Sequence, residues 1–389
     1  MDDILKKLPF FVDRIKTIKE TVISNIVLIG ETPGPTFEEG ARADMFLDRL
    51  SGAMADECGK DQLKNAIGII KGKDSKNNGP IFLTAHLDTA YAPEDVDHNY
   101  IVRKNAITGP GILDNTISIG ILAALPVILR HLDLSFSSDI VVSGVTQSLG
   151  RGNLRGIRHL LNTWGQPIRN GIILEGQQLG HFNYYSEGII RGEIACAIPA
   201  SDHYFTHKFK PNAILVLNDV INEMLCINLP QRPRCRIIIG NIHGGYKHGV
   251  IAVEARLGFE IQSDSDDMVK KVYEKIEDIV EGIGHEHSVA LKLETITVQN
   301  AAALKYGHPL VKCGVSVIKR LGLKPVSESS ESELSVFLSR NIPALALGMT
   351  IGKNAHLENA TMRINPMFTG IAQIIGLLMA IDRGFCDDE

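Results

Sequence analysis

The sequence predicts an α/β sandwich with a largely parallel sheet, interrupted by an inserted ferredoxin-like domain. Three observations predict it. Short apolar runs alternate with helical segments over the first half of the chain, the texture changes to strand-like alternation near Gly188, and the α/β texture returns after Thr297. Strands that alternate with helices indicate a parallel sheet covered by helices. At 389 residues the chain is also long for one hydrophobic core, so length points to two domains as well.

The first sixty residues read as helical, with a Pro/Gly break at ETPGPTFEEG. From Glu38 to Leu50, apolar residues including Ala41, Met45, Phe46 and Leu50 recur at helical spacing. IFLTAHLDT is a short apolar run with a polar end, the pattern of a buried strand whose carboxyl end faces a site. Ile117 to Leu132 reads as an apolar helix, Ser138 to Val145 as a buried strand, and Gly156 to Asn162 as part of a helix. Asn170 to Glu175 is a further strand ending on a carboxylate. The insert, 189–298, holds the alternating runs RGEIACAIPA, CRIIIGNIHGG and VIAVEARLGFEIQS, with helices from Asn212 to Cys226 and from Asp267 to Ile283. That is a β-α-β-β-α-β order. A helix near Leu310 to Leu321, the strand IPALALG and a helix from Phe368 to Ile381 follow. Residues 1–188 and 299–389 are therefore expected to form one discontinuous domain.

Apolar residues at 44% and charged residues at 22% are ordinary for a globular chain. A net charge of -5 gives no basic footprint, so nucleic acid is not an expected partner. No uninterrupted apolar run approaches about 18 residues, and MDDILKKLPFF lacks a signal-like core, so no membrane association is expected. The six cysteines form no CxxC pair, which argues against a zinc finger and suits reduced core thiols in a cytoplasmic protein.

Ligands of open α/β sheets gather at the carboxyl ends of strands, so acids and histidines there are weighed first. His86 and Asp88 follow the IFLTA strand, where alternate residues of an extended segment share a face. Taken singly, each candidate has an ordinary reading. His86 and Asp88 fit a surface histidine and a helix cap, Asp114 an N-cap, Glu175 a solvated acid and His356 a loop histidine. Taken together, two histidines and two carboxylates are the ligand types zinc prefers.

HLDT, GPGILDN, LEGQQLGHF and NAHLEN, in that order, resemble the metal-ligand motifs of the di-zinc metallopeptidase family of peptidase T, glutamate carboxypeptidase and acetylornithine deacetylase. DHYFTHKFKPNAI and IGNIHGGYKHGVIAVEARLGFEI resemble its lid, and the likeness runs from Thr32 to Met379. The resemblance implies a zinc-exopeptidase-like α/β/α sandwich with a ferredoxin-like lid and dimerisation domain, hence a homodimer. It implies that Asp114 bridges two zinc ions, one completed by His86 and Glu175, the other by His356 and the second residue of a Glu-Glu pair. The first Glu of that pair is the family's general base, and Asp88 orients His86. By the same resemblance lid His203 stabilises the oxyanion, reaching over from the partner subunit, and the lid hinges near Gly188 and Thr297.

The sequence departs from this pattern where the chemistry is carried. The Glu-Glu pair is Gln147-Ser148 here, so the general base and one ligand are lost, and a single zinc is expected rather than two. A missing general base typically costs about 10²–10⁴-fold in rate. Gln262 stands where the family's lid Arg binds the substrate carboxylate, and Gly249-Val250-Ile251-Ala252 replaces Asn-Val-Ile-Pro. Ala360 replaces a Glu, and the segment Ser330 to Glu333 retains an acid at Glu333, a substrate-binding candidate with Gln262. Two readings remain. One is a hydrolase of a small peptide or N-acyl amino-acid-like substrate, with an altered site and a base from Glu331 or Glu333. The other is an inactive pseudopeptidase that binds a peptide, a metabolite or a protein as a dimer.

Overall fold

The computed structural model describes residues 1–75, 78–198 and 211–387. The chain divides into two compact units, Met1–Ser186 with Ala302–Glu389, and Glu187–Ala301.

In the larger unit a seven-stranded sheet runs in the order 57–60, 66–70, 140–145, 81–86, 170–177, 344–350, 182–183. Its centre is parallel: Ile81–His86 lies between Ile140–Val145 and Asn170–Gln177, and Ala344–Thr350 continues the set. The edges are antiparallel. Alternation along each central strand shows how both faces are filled. Ile81, Leu83, Ala85, Ile140, Val142, Ile172, Leu174, Leu345 and Leu347 join one core with helices Asp2–Lys16, Lys19–Gly30, Gly40–Gly52, Ile117–His131, Pro309–Arg320 and Ile364–Asp382. Phe82, Val141, Val145, Ile173, Ala344 and Ala346 point the other way, into a smaller core with helices Arg155–Thr163 and Leu334–Leu338. Phe82 meets Trp164 and Phe337 edge-on, with ring centroids 4.8 and 6.2 Å away. A sheet buried on both faces needs continuous apolar strands, which is why these runs lack polar alternation.

Two helices, Ile112–His131 and Ile364–Asp382, are long and apolar enough to cross a membrane by length and composition. Here 89% and 83% of their apolar windows are buried inside the fold, which accounts for that composition. The cysteines are all unpaired, but the expectation of core thiols holds only in part, because Cys58 and Cys226 are exposed.

The second unit is a four-stranded antiparallel sheet ordered 235–244, 254–263, 188–197, 290–299. Helices Ala213–Leu225 and Asp266–His287 pack on one face through Val216, Leu217, Val220, Val272 and Ile276. They meet Ile194, Cys196, Leu257, Phe259 and Ile261 of the strands. This is the ferredoxin-like arrangement. Ser265 caps the second helix by accepting from the Met268 amide, and Asn212 caps the first through Ile214.

Candidate metal centre

The site is built at the carboxyl ends of the parallel strands, where the chain leaves the sheet and side chains are freed from core packing. Strand 81–86 ends on His86, which is buried. Its Nδ1 donates to the Asp88 carbonyl at 2.9 Å, which fixes the tautomer and turns Nε2 towards Asp114. Asp88, two residues on, is fully buried, and its Oδ2 accepts from the Thr36 hydroxyl (2.9 Å) and the Ser148 and Leu149 amides (3.0 and 2.8 Å). Asp88 therefore ties three segments together behind His86, and its Oδ1 lies 3.5 Å from His86 Nδ1.

Asp114 is not an N-cap. It sits inside the turn Ile112–Thr116, ahead of helix Ile117–His131, and its peptide to Asn115 is cis. Gly111 opens the turn at φ 65°, a left-handed conformation that glycine adopts without cost. Gly176 lets strand 170–177 approach this turn, since a Cβ there would stand 1.9 Å from the Leu113 carbonyl oxygen. Asn115 fastens the turn by donating to the Leu174 carbonyl at 2.7 Å. The Asp114 carboxylate then lies between two histidines: His86 Nε2 is 3.1 Å from Oδ1 and His356 Nδ1 is 3.7 Å from Oδ2. Burial opposes ionisation of Asp114, yet His356 and His86 outweigh it and hold its pKa well below the usual carboxylate range. Burial likewise opposes charging His86, but Asp114 and Asp88 hold its pKa well above the ordinary imidazole value. His356 is 81% exposed, and its pKa is raised through its bond to Asp114.

Glu175 lies in strand 170–177, which extends to Gln177 rather than ending on the carboxylate. The residue as a whole is part-exposed, but its Oε1 is sealed from solvent without a hydrogen-bond partner. Burial, then the charges of Glu333 and Asp114, push its pKa up to about 8, against the lowering pull of His86.

Gln147 and Ser148 follow strand 140–145. Gln147 holds a left-handed φ of 53°, a strained conformation for a residue with a Cβ, and its Oε1 is buried without a partner. Its amide donates at 2.7 Å to Glu39, a buried acid that nothing in the sequence distinguished from an ordinary helix-start glutamate. Glu39 also accepts the Phe37 amide at 3.0 Å, and burial raises its pKa. The Ser148 hydroxyl donates at 2.6 Å to Glu333, which is buried. Gln262, in the other unit, is 5% exposed, and its amide is held between Arg236 and Glu260. His203 lies outside the described residues.

The structure thus gathers His86, Asp88, Asp114, Gln147, Glu175, Glu333 and His356 at one end of the sheet. Among the described residues, no three or more His, Cys, Asp or Glu side chains converge closely enough to hold a metal ion as they stand. The donor chemistry nevertheless fits a divalent cation. Tetrahedral zinc ligands at about 2.0–2.2 Å from the metal stand roughly 3.3–3.6 Å apart. The His86–Asp114 and His356–Asp114 separations of 3.1 and 3.7 Å bracket that span. Glu175, Asp88 and Glu333 each also keep one sealed oxygen with no hydrogen-bond partner, an open acceptor position at this end of the sheet.

Residues 188–288 match the family model of the peptidase dimerisation domain, M20_dimer. The insert is thus similar to a peptidase dimerisation domain. A comparison with curated proteins gives no match. Among solved structures the whole chain is similar to the di-peptidase Dug1p from Saccharomyces cerevisiae (TM-score 0.77, 12% identity, covering 97% of this chain and 99% of that one). It is similar to a tripeptidase from Staphylococcus aureus (TM-score 0.74, 16% identity, 94% and 99% covered). A dinuclear metal-binding M20 peptidase from Bacillus subtilis matches at TM-score 0.66 and 14% identity, with 95% and 99% covered. The dimerisation domain and the sandwich together give this chain the fold of the M20 peptidases.

Proposed function

We propose that the larger unit binds a zinc ion through His86, Asp114 and Glu175, with His356 alongside, and that the protein hydrolyses a peptide or amide bond in a small substrate. The observation that carries this reading is the Asp114 carboxylate set between His86 and His356 beside the sealed, unpartnered oxygen of Glu175. A bound zinc would lower the pKa of its water and polarise the scissile carbonyl. Asp88 keeps His86 in the tautomer that presents Nε2, and the Asn115–Leu174 bond holds the Asp114 turn against the strand that bears Glu175. Gln147 can orient a water molecule but cannot take its proton, which leaves the carboxylates of the cleft as the proton acceptors. Small peptides are the proposed substrate class because the similar proteins include a tripeptidase and a di-peptidase. The dimerisation domain supports a homodimer, and a cytoplasmic location accords with six unpaired cysteines.

Elemental analysis of the purified protein, with His86→Ala as control, tests the reading. About one zinc per chain, as three protein ligands allow, and its loss in the variant are the expected result. A protein that takes up no metal when zinc is supplied would sink the hydrolase. The second reading, a dimeric binding protein on a peptidase scaffold, is favoured by Gln147 and Ser148 in place of carboxylates. Zinc uptake without turnover of di- and tripeptides and N-acyl amino acids would select it.

A further inference from the structure

In the serine- and glutamate-rich segment 327–335, Glu333 is the glutamate that turns inward. Glu333 is 1% exposed, while its neighbour Glu331 faces solvent. It precedes the short helix Leu334–Leu338 without capping it through its side chain. Its Oε1 accepts the Ser148 hydroxyl at 2.6 Å, and its Oε2 is sealed from solvent with no hydrogen-bond partner. A buried carboxylate held by one neutral donor leaves a desolvation penalty uncompensated unless a cation or a proton offsets it.

The surroundings indicate which compensation applies. Ser148, the partner of Glu333, donates its own amide to Asp88, and Asp88 backs His86. One connected set of contacts therefore runs from Glu333 through Ser148, Asp88, His86 and Asp114 to His356. We propose that Glu333 is a cation-binding carboxylate of this cleft, delivered from the segment ahead of helix Leu334–Leu338 to the end of strand Ile140–Val145, where Ser148 anchors it. The site then draws on acids from three separate chain segments, at Asp114, Glu175 and Glu333.

This inference rests on the metal-binding reading above, and isothermal titration of the metal-stripped, full-length protein with zinc chloride separates the two. Wild-type protein that binds no zinc defeats the parent reading and this one with it. If wild type binds, Glu333→Gln is expected to weaken zinc binding about 10–100-fold. The double variant Glu333→Gln/Ser148→Glu, which moves the carboxylate onto the anchoring residue, is expected to recover most of the loss. Wild-type affinity and stoichiometry in Glu333→Gln would overturn the proposal while leaving the His86 site standing. Should Glu333→Gln fail to fold by circular dichroism, Ser148→Ala is read instead. It keeps the charge and removes its anchor, so weakened zinc binding supports the proposal and unchanged binding overturns it.

Discussion

The outer face of the dimerisation-domain sheet and the strand-end cleft of the sandwich both hold acids away from bulk water, and they treat them in opposite ways. On the dimerisation domain, Arg191 pairs with Glu260, Glu260 bonds Gln262, Gln262 bonds Arg236, and Arg236 and Arg234 both reach Glu187. Acids and bases alternate there until each is matched. In the cleft, Glu175, Glu333 and Asp88 each keep a sealed oxygen without a hydrogen-bond partner, while His86 and His356 face Asp114. A fully paired network explains itself as structure, whereas unpaired buried charge costs stability and calls for something further to offset it.

The comparison breaks most easily at His86. His86→Ala is expected to abolish zinc uptake, a loss beyond the roughly 100-fold that removing a supporting residue causes, as read by elemental analysis and titration. If uptake survives, the cleft is as self-contained as the dimerisation domain. Asp88→Asn should act next, weakening zinc affinity about 10–100-fold while leaving the chain folded, since an amide oxygen can still accept the Ser148 and Leu149 amides.

A pH series sharpens the contrast. In metal-free protein, Glu175 is raised to about 8 and His86 is raised above its ordinary value, so both groups bind protons more tightly folded than unfolded. Their contribution is fully present below the unfolded carboxylate and imidazole values and is lost as pH rises through the folded ones. Melting temperature in the presence of a chelator should therefore fall between about pH 5 and pH 8, and saturating zinc should reverse the trend because ligands must be deprotonated to bind it. A chelated protein with a flat profile would count against buried, unmatched charge.

Smaller effects are expected on the dimerisation domain. Gln262→Ala should cost about 1–3 kcal/mol of stability, because a buried amide between Arg236 and Glu260 is removed, with no change in zinc binding by the sandwich. Arg256→Ala, which breaks a pair with Glu193 that is 65% exposed on the arginine side, should cost no more than about 1 kcal/mol in chemical denaturation.

Much of the frame was legible in the residues. Apolar strands without alternation marked the two-faced sheet, and alternation in RGEIACAIPA and ARLGFEIQS marked the sheet covered on one face. His86, Asp88, Asp114, Glu175 and His356 could be singled out because strand ends and motif order point to them. Glu39 could not, because an acid before a helix looks the same whether it faces solvent or accepts the Gln147 amide. Nor did Gln262 reveal that its amide is already engaged by Arg236 and Glu260, since cross-strand partners depend on register.

By itself the sequence determined which segments are strand or helix and which residue types stand at the strand ends, because periodicity and local propensity are written along the chain. It also determined that Gln147 and Ser148 bring no carboxylate to the cleft. Only the tertiary structure decided that Asp114 lies between two histidines rather than capping a helix, and that Glu333 turns inward to Ser148. Those outcomes depend on the Ser148–Glu333 and Asp114–His356 contacts, which join distant segments, and on a turn seated by Gly176 of a strand, and no local pattern encodes the meeting of two distant segments.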